Sequence, residues 1–216
     1  MTHSIKHHLD DATLIAYASG TLPEAFNLIA ATHISLCDTC RANAHAYDAV
    51  GGVLLEESRT PMTEGSLAHA LARLGDEVTP TLQIVQHTVT SDLPEPLRNY
   101  IGGDLDSVKW RPVGMGVKQA ILSTSKGASA RLLSIPAGAA MPDHGHNGKE
   151  LTLVLKGAFQ DADEYFARGD VEVAGKDVQH IPVADIHEDC ICLAVTDAPL
   201  RFEGFLPRIL QKFVRI

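Results

Sequence analysis

The chain has 216 residues, 45% of them hydrophobic, and a formal net charge of −9, enough for one large domain or two small ones with ordinary cores. The acidic balance argues against direct binding to nucleic acid, because contacts to phosphates need a basic surface. No run of about eighteen apolar residues occurs, and no basic stretch leads into an apolar one, so neither a membrane span nor a signal peptide is expected and the expected compartment is the cytoplasm.

The first half reads as short helices. Asp10 or Asp11 can cap a helix running through Tyr17 and Ala18, with Gly20 as its stop. Pro23 opens a second helix that runs toward Leu36. Asp38 starts a third, Ala-rich helix that reaches Glu56 and Glu57, and "TPMTEGSLAHALARLGDE" supplies a short fourth with Gly75 near its end. A four-helix unit this small buries little surface, and a metal ion would supply the missing stability. The charge is also uneven. Within residues 1–85, four basic residues (Lys6, Arg41, Arg59 and Arg73) stand against ten acids, a net of −6. Such a surface suits a basic protein partner.

The four cysteines form two close pairs, Cys37-x2-Cys40 and Cys190-x-Cys192. Close pairs in an intracellular chain point to metal binding or redox chemistry rather than to a disulfide framework. In "THISLCDTC", His33, Cys37 and Cys40 stand at i, i+4 and i+7, a spacing that brings them along one helix face, with the helix breaking at the CxxC. Imidazole and thiolates together favour zinc, and a structural zinc site has four ligands. The fourth must come from elsewhere. His8, just before the first helix, can fold back across the second; His3, His7 and His45 compete with it. His45 lies twelve positions after His33, roughly three and a third turns on, and should point away.

Residues 78–96, with Pro80, Pro94 and Pro96 and little helical periodicity, read as a linker. From about Trp110 the period changes. "VKQAILST", "ARLLSIPAG", "ELTLVLKGAF", "DVEVAG", "CICLAVTD" and "PRILQKFVRI" are short β-type runs separated by turn residues, as in a small barrel or sandwich. The fold class expected is therefore α+β multi-domain: a small four-helix zinc domain (1–85), a linker (86–100) and a β-barrel of cupin or jelly-roll type (101–216).

The barrel half carries a second constellation, Gly138-x5-His144-x-His146-x3-Glu150-x6-Gly157, which matches the first cupin motif at every defined position. Residues two apart on a strand face the same side, so His144 and His146 both point inward, and Glu150 follows from the next strand. The segment Gly169-x5-Gly175-x-Asp177-x2-His180 departs from the second cupin motif at Gly175 and Asp177 but places His180 where a fourth ligand belongs. Three His and a Glu suit Zn, Mn, Fe or Ni alike. Cys190 and Cys192 share one side of a strand, either near this site or in the core.

Taken together, "HHLDDATLIAYASGTLPEAFNLIAATHISLCDTCRA", "PDHGHNGKELTLVLKGAF" and "DCICLAVTDAPLRF" make the chain similar, over nearly its whole length, to the ChrR-type zinc anti-sigma factors with a C-terminal cupin-like domain. The resemblance implies a four-helix anti-sigma fold that holds zinc through His8, His33, Cys37 and Cys40. It also implies a second zinc in the cupin domain on His144, His146, Glu150 and His180. The implied partner is an extracytoplasmic-function (ECF) group sigma factor, whose polymerase-binding surfaces the helical domain hides. Release follows singlet oxygen, through the cupin domain. The alternative is a metal-dependent cupin enzyme, dioxygenase-like, with an accessory zinc domain.

Overall fold

The computed structural model describes residues 4–74, 91 and 93–202, with Phe202 described by its backbone alone. Gly75, residues 86–90 and 92 of the expected linker and the strand expected in "PRILQKFVRI" lie outside the described residues.

Among the described residues five α-helices come first: α1 (Asp11–Ala18), α2 (Glu24–Leu36), α3 (Asp38–Glu57), α4 (Ser66–Arg73) and α5 (Glu95–Ile101). The Asp10 carboxylate accepts the Thr13 backbone N–H at 2.6 Å and starts α1. Gly20, at φ 66°, turns the chain toward α2. α2 is the central element. Ala25, Phe26, Leu28, Ile29 and Ala30 are all buried, because α1, α3 and α5 cover one side of it and the β-sheet the other. No helix among the described residues is long and apolar enough to cross a membrane.

α5 falls where a linker was expected. Its two prolines, which mask any helical period in so short a segment, occupy the end where a helix tolerates them: Pro94 precedes the first turn and Pro96 lies within it, where no N–H partner is required. Leu97 is fully buried, and α5 packs on α2.

Twelve strands follow: β1 (Arg111–Gly114), β2 (Val117–Leu122), β3 (Ser129–Ile135), β4 (His144–His146), β5 (Glu150–Lys156), β6 (Ala158–Asp161), β7 (Glu164–Ala167), β8 (Val171–Ala174), β9 (Gln179–His180), β10 (Val183–Ala184), β11 (Cys190–Thr196) and β12 (Leu200–Phe202). All their pairings are antiparallel. A six-stranded sheet in the order β1-β2-β3-β11-β5-β8 forms the wall facing the helices. Two three-stranded sheets, β10-β6-β7 and β12-β4-β9, complete the barrel.

The central strands are buried on both faces, which explains their near-continuous apolar runs. Along β5, Leu151, Leu153 and Leu155 join the cluster that contains Leu14, Phe26 and Ile29 of the helices. Val154, on the alternate face, joins an inner cluster with Phe159, Phe166, Cys190 and Cys192. Glu150 and Thr152 share the face of Val154, so the barrel interior is polar at that end of the strand. The helical and β parts are thus joined by one continuous hydrophobic core.

Candidate metal centres

The first centre forms where α2 hands over to α3. α2 ends at Leu36, Cys37 is extended (φ −108°, ψ 108°), and α3 begins at Asp38. His33 therefore sits in the last turn of one helix and Cys40 in the first turn of the next, with Cys37 at the break. Cys37 Sγ accepts the Cys40 backbone N–H at 3.4 Å and so caps α3. The segment before α1 brings His8 to the same point. Its Nδ1 lies 3.2 Å from Cys37 Sγ and 3.7 Å from Cys40 Sγ, and His33 Nε2 lies 3.2 Å from Cys40 Sγ. One ligand atom from each of the four residues lies within 4.8 Å of all the others. A tetrahedral ion with arms of about 2.0–2.3 Å separates its ligand atoms by roughly 3.3–3.8 Å, so this group fits one. Of the competitors, His7 stacks on Phe166 (centroids 4.2 Å apart), His45 is exposed on α3, and His3 lies outside the described residues.

Two features prepare this group for a metal. His33 Nδ1 is 2.9 Å from the Gly169 carbonyl oxygen. A carbonyl only accepts, so Nδ1 carries the hydrogen and the bare Nε2 faces the thiols. Burial lowers the His33 pKa to about 4, so the ring is neutral at physiological pH. Burial also pushes the Cys40 thiol up to about 11, so an incoming ion has to displace its proton.

The second centre lies inside the barrel. His144 and His180 are register partners on β4 and β9, and His146 follows two residues along β4. The Nε2 of His180 is 3.1 Å from the Nε2 of both His144 and His146. The trio is buried and within 4.8 Å throughout. Here too the outer nitrogens are held: His144 Nδ1 donates to the Pro142 carbonyl at 2.8 Å, and His180 Nδ1 to Asp161 Oδ2 at 2.8 Å, with Glu172 Oε1 3.4 Å away. Burial would lower the His180 pKa, but Glu172 and Asp161 lift it to about 9. His146 goes the other way, to about 4, through burial and its two His neighbours.

Glu150 stands apart from the trio. Its Oε2 is 3.9 Å from His146 Nδ1, and its Oε1 accepts from Thr152 Oγ1 at 3.4 Å. His146 Nδ1 is itself buried without a hydrogen-bond partner. Burial and the nearby Glu172 carboxylate raise the Glu150 pKa to about 7. Cys190 and Cys192 pack in the inner apolar cluster, and the Cys192 thiol is pushed well above its ordinary value by its contact with Cys190 and by burial.

Residues 99–199 match the family model of the ChrR cupin-like domain. Over 214 residues, 99% of this chain and 100% of the relative, the sequence is 53% identical to the anti-sigma-E factor ChrR of Cereibacter sphaeroides. The chain belongs to the ChrR family of anti-sigma factors. The ChrR family is also represented among solved structures: a chain in the crystal structure of Rhodobacter sphaeroides SigE in complex with the anti-sigma ChrR aligns with a TM-score of 0.79 and 53% identity, covering 90% of this chain and 100% of that one.

Sequence reasoning missed the partners of the histidines. Asp161 and Glu172 hold His180, and the turn at Gly169 and Asp170 holds His33 and the N-terminal segment. A signal for Glu172 existed. In "DVEVAG" the alternation puts an acid on the face opposite two valines, which is an unusual inward polar position once the strand is placed.

Proposed function

We propose that this protein is a zinc-holding anti-sigma factor of the cytoplasm that captures an ECF-group sigma factor and keeps it from RNA polymerase. The reading is regulatory rather than enzymatic, in keeping with the family. His8, His33, Cys37 and Cys40 would hold a zinc ion that staples the start of the chain to the α2–α3 junction. His144, His146 and His180 would hold a second in the barrel, with Glu150 as the proposed fourth ligand.

One observation carries the capture step. The second half of α3 and all of α4 present an apolar face with no covering element among the described residues: Val50, Val53 and Leu54, then Leu67, Leu71 and Leu74. On α4 these recur at i, i+4 and i+7, one stripe of a helix. A face of this kind marks a protein contact. The family, and the complex formed by the ChrR relative with SigE, support a sigma factor as the occupant of this face. The acidic surface of residues 1–85 would complement a basic one. Replacing Leu54 and Leu71 together by Asp should abolish co-purification with the cognate sigma factor. The fold should shift by only about 0.5 kcal/mol per site, because both side chains are exposed. Undiminished capture by the double variant would reject this face.

Release in response to singlet oxygen or related oxidative stress is assigned to the barrel. The first centre is rich in the oxidisable side chains His and Cys and the second in His, and Cys190 and Cys192 lie on the wall that carries Glu150. Cys190→Ser with Cys192→Ser should blunt the response and leave capture intact. A double variant that responds fully would remove the two thiols from the signal.

A further inference from the structure

Both candidate centres lean on the same four residues, 169–172. At one end, the Gly169 carbonyl accepts the hydrogen bond from His33 Nδ1 at 2.9 Å. Next to it, Asp170 is completely buried. Its Oδ1 accepts the backbone N–H groups of Lys6 and His7 at 2.7 and 2.9 Å, which pins the segment that delivers His8. Its Oδ2 accepts the Ala167 N–H at 2.9 Å, and the Val171 N–H donates to the His7 carbonyl at 3.2 Å. At the other end, Glu172 sits beside His180 Nδ1 inside the barrel. The distance along the strand from 169 to 172 is roughly 10 Å.

Position 169 requires glycine. Its φ is 93°, and a Cβ there would lie 2.6 Å from Ile5 Cδ1. Any other residue would be strained at this positive φ and would also have to push the Ile5 side chain aside.

We propose that Asp170 and Glu172 are positioning residues for the two metal centres, and that the short segment joining them makes a metal held at one centre slow the loss of metal from the other. The inference rests on the two-centre reading above. In the barrel, Glu172 and Asp161 keep the hydrogen of His180 on Nδ1 and its Nε2 aimed at the other two rings. A bound ion fixes that ring, which fixes Glu172 and with it β8. The start of β8 holds His33 and the N-terminal segment in their ligating positions.

Cobalt(II) distinguishes the two centres, because a thiolate-to-metal band arises only where Cys37 and Cys40 bind. The full chain is loaded with cobalt(II) and challenged with EDTA, and the decay of that band is timed. With two equivalents bound the decay should be at least several-fold slower than with one equivalent bound at the thiolate centre. His146→Ala, which empties the barrel, should decay as fast as the one-equivalent protein. Asp170→Asn, with two equivalents bound, should lose the band some 10–100-fold faster than the unaltered chain, the range typical of lost ligand-orienting partners. Circular dichroism confirms that each variant folds. Equal decay rates with one and two equivalents would overturn the coupling, and this comparison needs no substitution. A chain that takes up fewer than two equivalents, or shows no thiolate band, would instead reject the two-centre reading beneath it.

Discussion

His33 and Gly169 are 136 positions apart, yet the imidazole Nδ1 and the carbonyl oxygen meet at 2.9 Å. This bond crosses from the helical part of the molecule to the barrel, and it sets the tautomer of a proposed zinc ligand. It is reinforced at the start of α1, where Lys149 Nζ donates to Asp10 Oδ2 and Thr13 Oγ1, both at 2.7 Å. On α2, Glu24 accepts from the Tyr100 hydroxyl at 2.9 Å and the Ser125 N–H at 2.6 Å. The helical part is therefore built into the barrel, and the environment of its candidate metal centre includes barrel residues.

Loss of the first metal should unfasten the start of the chain. Cys37→Ser removes both a ligand and the side chain that caps α3. Metal analysis of the full chain should fall from two equivalents to one. Structural zinc contributes about 10–16 kcal/mol of apparent binding free energy in small folded units, so capture of the sigma factor should be lost as well. Two equivalents retained in the Ser variant would remove Cys37 from the ligand set.

Metal affinity at both centres should rise with pH. Without metal, the Cys40 thiol (pKa about 11) and the His180 ring (about 9) both hold protons at neutral pH, and an ion must displace them. His33 and His146, at about 4, stay neutral above roughly pH 5 and add no competition. The metal-free fold should follow the opposite trend at His180. A raised pKa stabilises the fold fully below the unfolded value of about 6.5, and that contribution fades as pH rises through about 9. Calorimetric titration in buffers of different ionisation enthalpy measures the protons released on loading; zero release at pH 7 would contradict this account.

The shared core should make the two parts unfold together. Leu193 on β11 is fully buried in the cluster that includes Phe26, Leu28 and Ile29 of α2. Leu193→Ala should cost about 2–5 kcal/mol. Tyr17 on α1 and Trp110 near β1 both pack against this cluster, so helical circular dichroism and Trp fluorescence should shift by the same amount. Two separate transitions, with only the β signal moved, would show that the parts are independent.

Much of this was legible in the order of residues, for physical reasons that differ by element. The grouping of His33 with Cys37 and Cys40, and of His144 with His146 and His180, was legible because metal-ligand candidates must be few, close and of one chemistry, and those constraints survive as short spacings. α1, α2 and α3 showed their caps and periods, and β2, β3, β5 and β11 showed as apolar runs. α5 was hidden because seven residues hold too little period and its prolines read as breakers. β4, "HGH", has no apolar pattern and was legible as a strand only through its His-x-His spacing. The partners of the ligands were least visible: Gly169, Asp170 and Glu172 act only after β8 is placed beside the N-terminal segment, and no local spacing encodes that meeting. The position of Glu150 beside Nδ1 of His146 likewise depends on how β5 leaves the Gly-rich turn.

The most direct test of the central claim is the stoichiometry of capture. The full chain, purified with its metal and verified at two equivalents, is mixed with the cognate ECF-group sigma factor and passed over a sizing column with light scattering. The account predicts a 1:1 complex that dissolves when Leu54 and Leu71 are both changed to Asp. A fully metal-loaded chain that elutes separately from every ECF-group sigma factor offered to it would contradict the account.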